Sequence, residues 1–97
     1  MQINTQELSV THNTSAHRFE IQVGELLAVS QYRLIGDTIT FYHVGVPPEL
    51  EGQGIGSLLA KASLDYARDH SLKVIPLCSF VAAYIRRHPE YAILQSK

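Results

Sequence analysis

Gly52, Gly54 and Gly56 alternate with Gln53 and Ile55 immediately before the stretch SLLAKASLDYARDH, residues 57–70. Glycines at the start of a helix have a definite chemical use. The first-turn amides of a helix have no acceptor within it, and the aligned peptide dipoles place partial positive charge there. Glycine removes the Cβ atoms that would block an approaching group and permits φ > 0 in the turn. Together these features cradle an anion, above all a pyrophosphate. The two common phosphate patterns do not apply. A Walker turn needs Gly-Lys-Ser/Thr, whereas Ser57 follows Gly56 directly. A dinucleotide fingerprint needs Gly-x-Gly-x-x-Gly, whereas one residue separates Gly54 from Gly56. The alternative is that the glycines serve only a tight strand-to-helix turn.

Other reactive groups are few. Cys78 is the single cysteine, so no internal disulfide can form and nothing points to an oxidising compartment. The histidines, at 12, 17, 43, 70 and 88, have no metal-ligand spacing, so no metal is expected. A net charge of −1 leaves no basic excess to neutralise a nucleic-acid backbone, so nucleic acid is not an expected partner. No apolar stretch approaches the length of a membrane span. The segment MQINTQELSV lacks the basic-then-apolar order of a signal peptide. The expectation is a single cytoplasmic domain over residues 1–97, with no membrane partner. Its 45% hydrophobic and 18% charged residues suit an ordinary globular core.

The elements that must position these residues change period halfway along the chain. HRFEIQV puts Phe19, Ile21 and Val23 on one face of a strand and Arg18, Glu20 and Gln22 on the other. ELLAVSQYRLIG and TITFYHVGV are further strands, and the turns at Gly24-Glu25 and Gly36-Asp37 suit an antiparallel meander. From Ile55 to about His70 the apolar residues Ile55, Leu58, Leu59, Ala62 and Tyr66 recur at helical spacing. LKVIPLC follows as a buried strand, parallel to the third strand across the helical crossover. A second helix, about Phe80 to Arg87, stops before His88-Pro89, and EYAILQSK is a candidate final strand. The order β-β-β-α-β-α(-β) gives a mixed sheet with packed helices, an α+β or three-layer α/β/α-like domain.

With these elements in place, VPPELEGQGIGSLLAKASLDYAR resembles motif A of the GNAT superfamily of acetyl-CoA-dependent N-acetyltransferases. The signature Gln/Arg-x-x-Gly-x-Gly/Ala falls on Glu51 to Gly56. LKVIPLCSFVAAYIRRHPEY is similar to the small single-domain GNAT-like subfamily typified by PLC-x-F-x-x-x-Y-I-x-x-HPEY. The resemblance runs from about Arg18 to Leu94. It implies a minimal GNAT fold in which two parallel strands, ending near Val46 and Leu77, splay apart. The pantetheine arm of acetyl-CoA, the implied co-substrate, would pair with strand amides near Val44 and Val46. Its pyrophosphate would lie on Gly52, Gln53, Gly54, Ile55, Gly56 and Ser57.

The resemblance also implies catalytic roles. Tyr84 matches the tyrosine that many GNAT enzymes use as general acid toward the CoA sulfur. Cys78 ends the strand flanking the thioester, where a thiol can take the acetyl group as nucleophile. Relatives that read HTEV have a glutamate where HVGV places Gly45, so His43 is the substitute base. Arg86 and Arg87 are candidates to reach the CoA phosphates, but a solvated helix end is the preferred reading for them. The bland readings of the others are a tyrosine ring packed on the sheet, a cysteine filling a buried site and a structural strand histidine. Glu51 departs from the Gln/Arg of the signature and sets a carboxylate beside the pyrophosphate. The family's helices between its first strands are missing, so the acceptor site is open or completed by a partner. The lead expectation is acetyl transfer to a primary amine of unknown identity. The alternative is a CoA-binding or interaction module with little or no catalysis. The apolar, strand-rich surface of so small a sheet admits a homodimer.

Overall fold

The computed structural model describes residues 8–95. Five strands and two helices follow in the order β1 Thr11–Asn13, β2 Arg18–Val23, β3 Leu26–Ile35, β4 Thr38–Gly45, α1 Ile55–Asp69, β5 Lys73–Pro76 and α2 Ser79–Arg87. Short 3-10 turns, Pro48–Leu50 and Pro89–Leu94, follow β4 and α2. The strands form one sheet in the order β1-β2-β3-β4-β5. Neighbours run antiparallel except β4 and β5, which are parallel as the helical crossover requires.

Alternation decides which face is buried. Phe19 and Ile21 of β2, Ala28, Ser30 and Tyr32 of β3, Ile39 and Phe41 of β4, and Val74 of β5 all point to one side and are buried. Residues of α1 and α2 complete that single core. The opposite face carries Arg18, Glu20, Gln22, Arg33, Thr40 and Lys73, none of them buried. The α+β expectation therefore holds with two layers, helices on one face of the sheet, instead of three.

The buried stripe of α1 is Ile55, Gly56, Leu59, Ala60, Ser63, Leu64 and Ala67. Of the residues the sequence pattern put on this face, Ile55 and Leu59 are buried, while Leu58, Ala62 and Tyr66 are half-buried flanks. Small residues explain the rotation, because Gly56, Ala60, Ser63 and Ala67 let the helix axis come close to its neighbours. Leu59 and Leu64 are fully buried, and each contributes about 1.5–3 kcal/mol by leaving water. The Ser63 hydroxyl lies 2.9 Å from that of Ser30 and 2.7 Å from the Leu59 carbonyl oxygen, so the polar pair under the helix is satisfied.

Two elements differ from the sequence expectation. β1 has no apolar alternation. It is held by His12, which stacks on Phe19 at 4.1 Å and puts Nε2 2.7 Å from the Tyr32 hydroxyl. The tail forms a 3-10 turn with one isolated parallel bridge, Val74 to Gln95, in place of a strand. Side chains anchor it. The Tyr91 hydroxyl donates to Asp65 Oδ1 at 2.6 Å, and Lys61 Nζ donates to Asp65 Oδ2 at 2.6 Å. No helix among the described residues is long and apolar enough to cross a membrane.

Candidate active site

The site begins where β4 and β5 part. Their register runs from Thr38↔Lys73 to Phe41↔Pro76. One further link follows, as the Cys78 amide donates to the Phe41 carbonyl at 2.9 Å. Beyond it β4 continues to Gly45, paired with β3 and, among the described residues, with no strand on its other side. The register of β3 on β4 slips at this point. Tyr32 pairs with Phe41 and Gln31 with His43, so Tyr42 is an extra residue. A bulge of this kind bends a strand and increases its twist.

After β4, Pro47 and Pro48 turn the chain, and the fully buried Leu50 pins the loop to the core. Gly52 and Gly54 then adopt φ of 79° and 80°, a region that other residues enter only at a cost. Gly54 is the N-cap of α1, with no side-chain cap and no acidic residue in the first turn. The helical ladder starts with the Leu58 amide bonding to the Gly54 carbonyl at 3.1 Å. The amides of Ile55, Gly56 and Ser57 therefore have no acceptor within the helix. A Cβ placed on Gly52 or Gly54 would meet nothing within 4 Å, so the space before the turn is open.

Gly56 has a different task. A Cβ there would lie 2.7 Å from Phe80 Cζ, so this glycine lets α2 approach α1. The sequence assigned all three glycines to the ligand. Gly52 and Gly54 shape the turn, and Gly56, which also lines the cavity, in addition joins the helices.

The open strand edge and the uncapped turn share one cavity of about 510 Å³, within the roughly 300–1,000 Å³ of ordinary small-molecule sites. Of the residues expected to hold the cofactor, Val44, Val46, Gly52, Gly54, Ile55, Gly56 and Ser57 line it. Gln53 does not; it is half-buried within the turn. Leu50 and Phe80 also line the cavity and were not foreseen as site residues. Its charged lining residues are Glu51 and Arg87, both exposed. Of the two arginines weighed between a solvated helix end and reach toward phosphates, Arg87 lines the cavity and Arg86 does not.

None of the three expected catalytic residues lines the cavity. Cys78 is the half-buried N-cap of α2 and packs against the core, beside the point where the strands part. His43 is exposed on β4. Its Nε2 lies 2.7 Å from where a Cβ on Gly45 would sit, so the imidazole fills the start of the volume that a glutamate side chain at position 45 would use.

Tyr84 is only 5% exposed, and its ring stacks on His88 at 4.0 Å and 17°. Burial pushes its phenol up, with Lys61 opposing and Asp65 and Glu90 adding to the rise. His88 closes the helix, its Nδ1 lying 3.0 Å from the Tyr84 carbonyl oxygen. No group of three His, Cys, Asp or Glu side chains capable of holding a metal occurs among the described residues.

Comparison with known proteins supplies the context for this geometry. The family described as GCN5-related N-acetyl-transferase matches residues 18–94. Protein NATD1 of Xenopus tropicalis is 28% identical over 85 residues, covering 84% of this chain and 78% of that protein. Protein NATD1 of Homo sapiens is 29% identical over 85 residues, covering 84% and 75%. A GCN5-like protein of Staphylococcus aureus, solved by NMR, superposes with a TM-score of 0.71 at 32% identity, covering 92% of this chain and 88% of that one.

Proposed function

The chain belongs to the GCN5-related N-acetyltransferase family, and on that premise we propose that it binds acetyl-CoA and transfers the acetyl group to a primary amine. One observation carries the reading. The free edge of β4 beyond Phe41 and the uncapped first turn of α1 open into the same cavity. The pantetheine arm is a chain of amides and pairs with strand backbone at Val44 and Val46 as an added strand would. The pyrophosphate takes the unpaired amides of Ile55, Gly56 and Ser57.

Transfer requires a neutral amine. Its nitrogen attacks the thioester carbonyl carbon, the C–N bond forms, the C–S bond breaks, and CoA leaves as a thiolate. The nitrogen loses one proton and the thiolate takes one up. His43, on β4 where the strands have parted, is the base we assign to the amine proton. In the covalent alternative, Cys78 Sγ takes the acetyl group first and then passes it to the amine. Tyr84 is the acid assigned to the CoA thiolate; its ring is buried and stacked on His88, off the cavity wall.

A second reading is a CoA-binding module with little or no catalysis. It is favoured by the positions of Cys78, His43 and Tyr84, all off the cavity wall. The two readings separate by following CoA thiol release from acetyl-CoA with a panel of primary amines, and by taking an intact mass after incubation without amine. Release that depends on an amine supports the enzyme. Saturable binding with no release for any amine supports the module. A mass gain of one acetyl group that disappears in Cys78→Ala identifies the covalent route, and full turnover in Cys78→Ala excludes it.

A further inference from the structure

We propose that Arg87 is the cation that holds the ligand's phosphates in this cavity and offsets the carboxylate of Glu51; this rests on the reading of the cavity as a CoA site. Arg87 ends α2, seven residues after Phe80, whose ring meets Gly56 at the start of α1. Those seven residues are two turns, about 10 Å of helix axis at 1.5 Å per residue. An arginine side chain spans most of that distance, which accounts for its place on a wall shared with Gly52, Gly54 and Ser57. Arg86, one residue earlier, is also exposed but does not line the cavity.

Three observations point the guanidinium at a ligand. First, Arg87 takes part in no ion pair among the described residues, whereas the cations of α1, Lys61 and Arg68, are bound to Asp65 and Asp69. Second, the other charged lining residue is Glu51, so without Arg87 the cavity carries only negative charge. A pyrophosphate entering such a site is repelled, and the half-charge of a helix start offsets only part of the repulsion. Third, guanidinium is suited to the task. Its planar fork of donors pairs with phosphate oxygens two at a time and stays charged at any working pH.

The position at a helix C-terminus adds a constraint. A cation there already interacts favourably with the helix dipole, so Arg87 need not fold back on an acid of its own chain to be stabilised. It stays available. The phosphates are then gripped from two sides, by the amides of α1 and by the end of α2, and Phe80 against Gly56 sets the distance between the jaws.

The test is calorimetric titration of the full chain with CoA, with pantetheine, which has no phosphate, and with inorganic pyrophosphate. Arg87→Gln should weaken CoA about tenfold or more, the scale of a charged hydrogen bond. It should leave pantetheine affinity unchanged and lower the thermal midpoint only slightly, by the lost helix-dipole interaction, and Arg86→Gln should bind CoA like the parent. Arg87→Lys should recover part of the loss, and Glu51→Gln should tighten CoA. Because a phosphate contact is screened by ions, the Arg87→Gln deficit should shrink as salt rises. Equal CoA affinity in Arg87→Gln and the parent overturns the proposal and leaves the CoA reading standing. An equal loss for pantetheine also overturns it, because the arginine then acts through cavity shape. A parent that takes up neither CoA nor pyrophosphate overturns both.

Discussion

At its first turn α1 starts on Gly54, with no side chain capping it and open space in front. Its second half is crowded. Asp65 accepts bonds from Lys61 and Tyr91, and Tyr66 packs edge-on against His12 at 4.6 Å and over His70 at 4.0 Å. One helix thus has one end whose polar backbone is left unpaired and one whose side chains are bonded and stacked on several elements. The difference is a division of labour. The crowded half fixes the helix on the sheet and ties down the C-terminal tail. That rigidity keeps the bare first turn in place without a cap that would compete with a ligand.

The comparison breaks most visibly at Gly56. Gly56→Val puts side-chain atoms into the Phe80 ring and should cost about 2–3 kcal/mol, the upper range for overpacking, read as a lower urea midpoint. Adding Phe80→Ala should return part of that loss. An unchanged midpoint in Gly56→Val would show that the helices are not in tight contact.

The next effect lies at the crowded half. Tyr91→Phe removes the bond to Asp65 and should cost about 1–2 kcal/mol with no change in CoA affinity. Burial pushes the Asp65 carboxyl up, but the hydrogen bonds from Lys61 and Tyr91, together with the charges of Lys61 and Arg68, hold the group below its usual range. Its stabilisation is therefore present above its unfolded value, about pH 4, and is lost as pH falls through the lowered folded value. An acid-unfolding curve shared by Tyr91→Phe and the parent would remove Asp65 from this account.

Gly54→Ala should have the opposite profile. Its φ of 80° makes any side chain strained, by about 1 kcal/mol. The new methyl also stands in the open cavity, so CoA affinity should fall by more than stability does. Equal losses in both would mean that the turn is only a turn.

The smallest effect is at β1. Burial, with His70 adding to it, holds His12 below its ordinary value. Its neutral form is favoured in the fold, so this stabilisation is complete above the unfolded value near pH 6.5 and is lost as pH falls toward the lowered folded value. Amide protection factors, corrected for the intrinsic pH dependence of exchange, should fall in Thr11–Asn13 on acidification before they fall in β3. Simultaneous change in both strands would argue against a local effect.

Most of the sheet and both helices were legible in the sequence because one face of each is buried. Alternation at Phe19 and Ile21, and helical spacing after Ile55, record that burial directly. β1 was not legible, since THN has no apolar pattern and its partner contacts come from His12 on Phe19 and Tyr32. The tail reads apolar at Ile93, yet that residue is 88% exposed, because Tyr91 supplies the anchor.

In the site, the glycine turn was legible from spacing alone. The contribution of Phe80 was not, and the choice between Arg86 and Arg87 could not be made, because both depend on how closely α2 lies beside α1, which Gly56 sets. The His43–Gly45 relation was half legible. The missing side chain at position 45 could be read, but not that the imidazole would stand in its space. Gly45→Glu must therefore displace His43, so a rise in acetylation would reflect a base gained while another is moved.

The measurement that bears most directly on the cavity's role is calorimetric titration of the intact chain with acetyl-CoA. Saturable binding at one site in the micromolar range, weakened in Gly54→Ala, is the expected result. No binding at millimolar acetyl-CoA would contradict it, and the uncapped glycine turn would then be a strand-to-helix connection without a ligand.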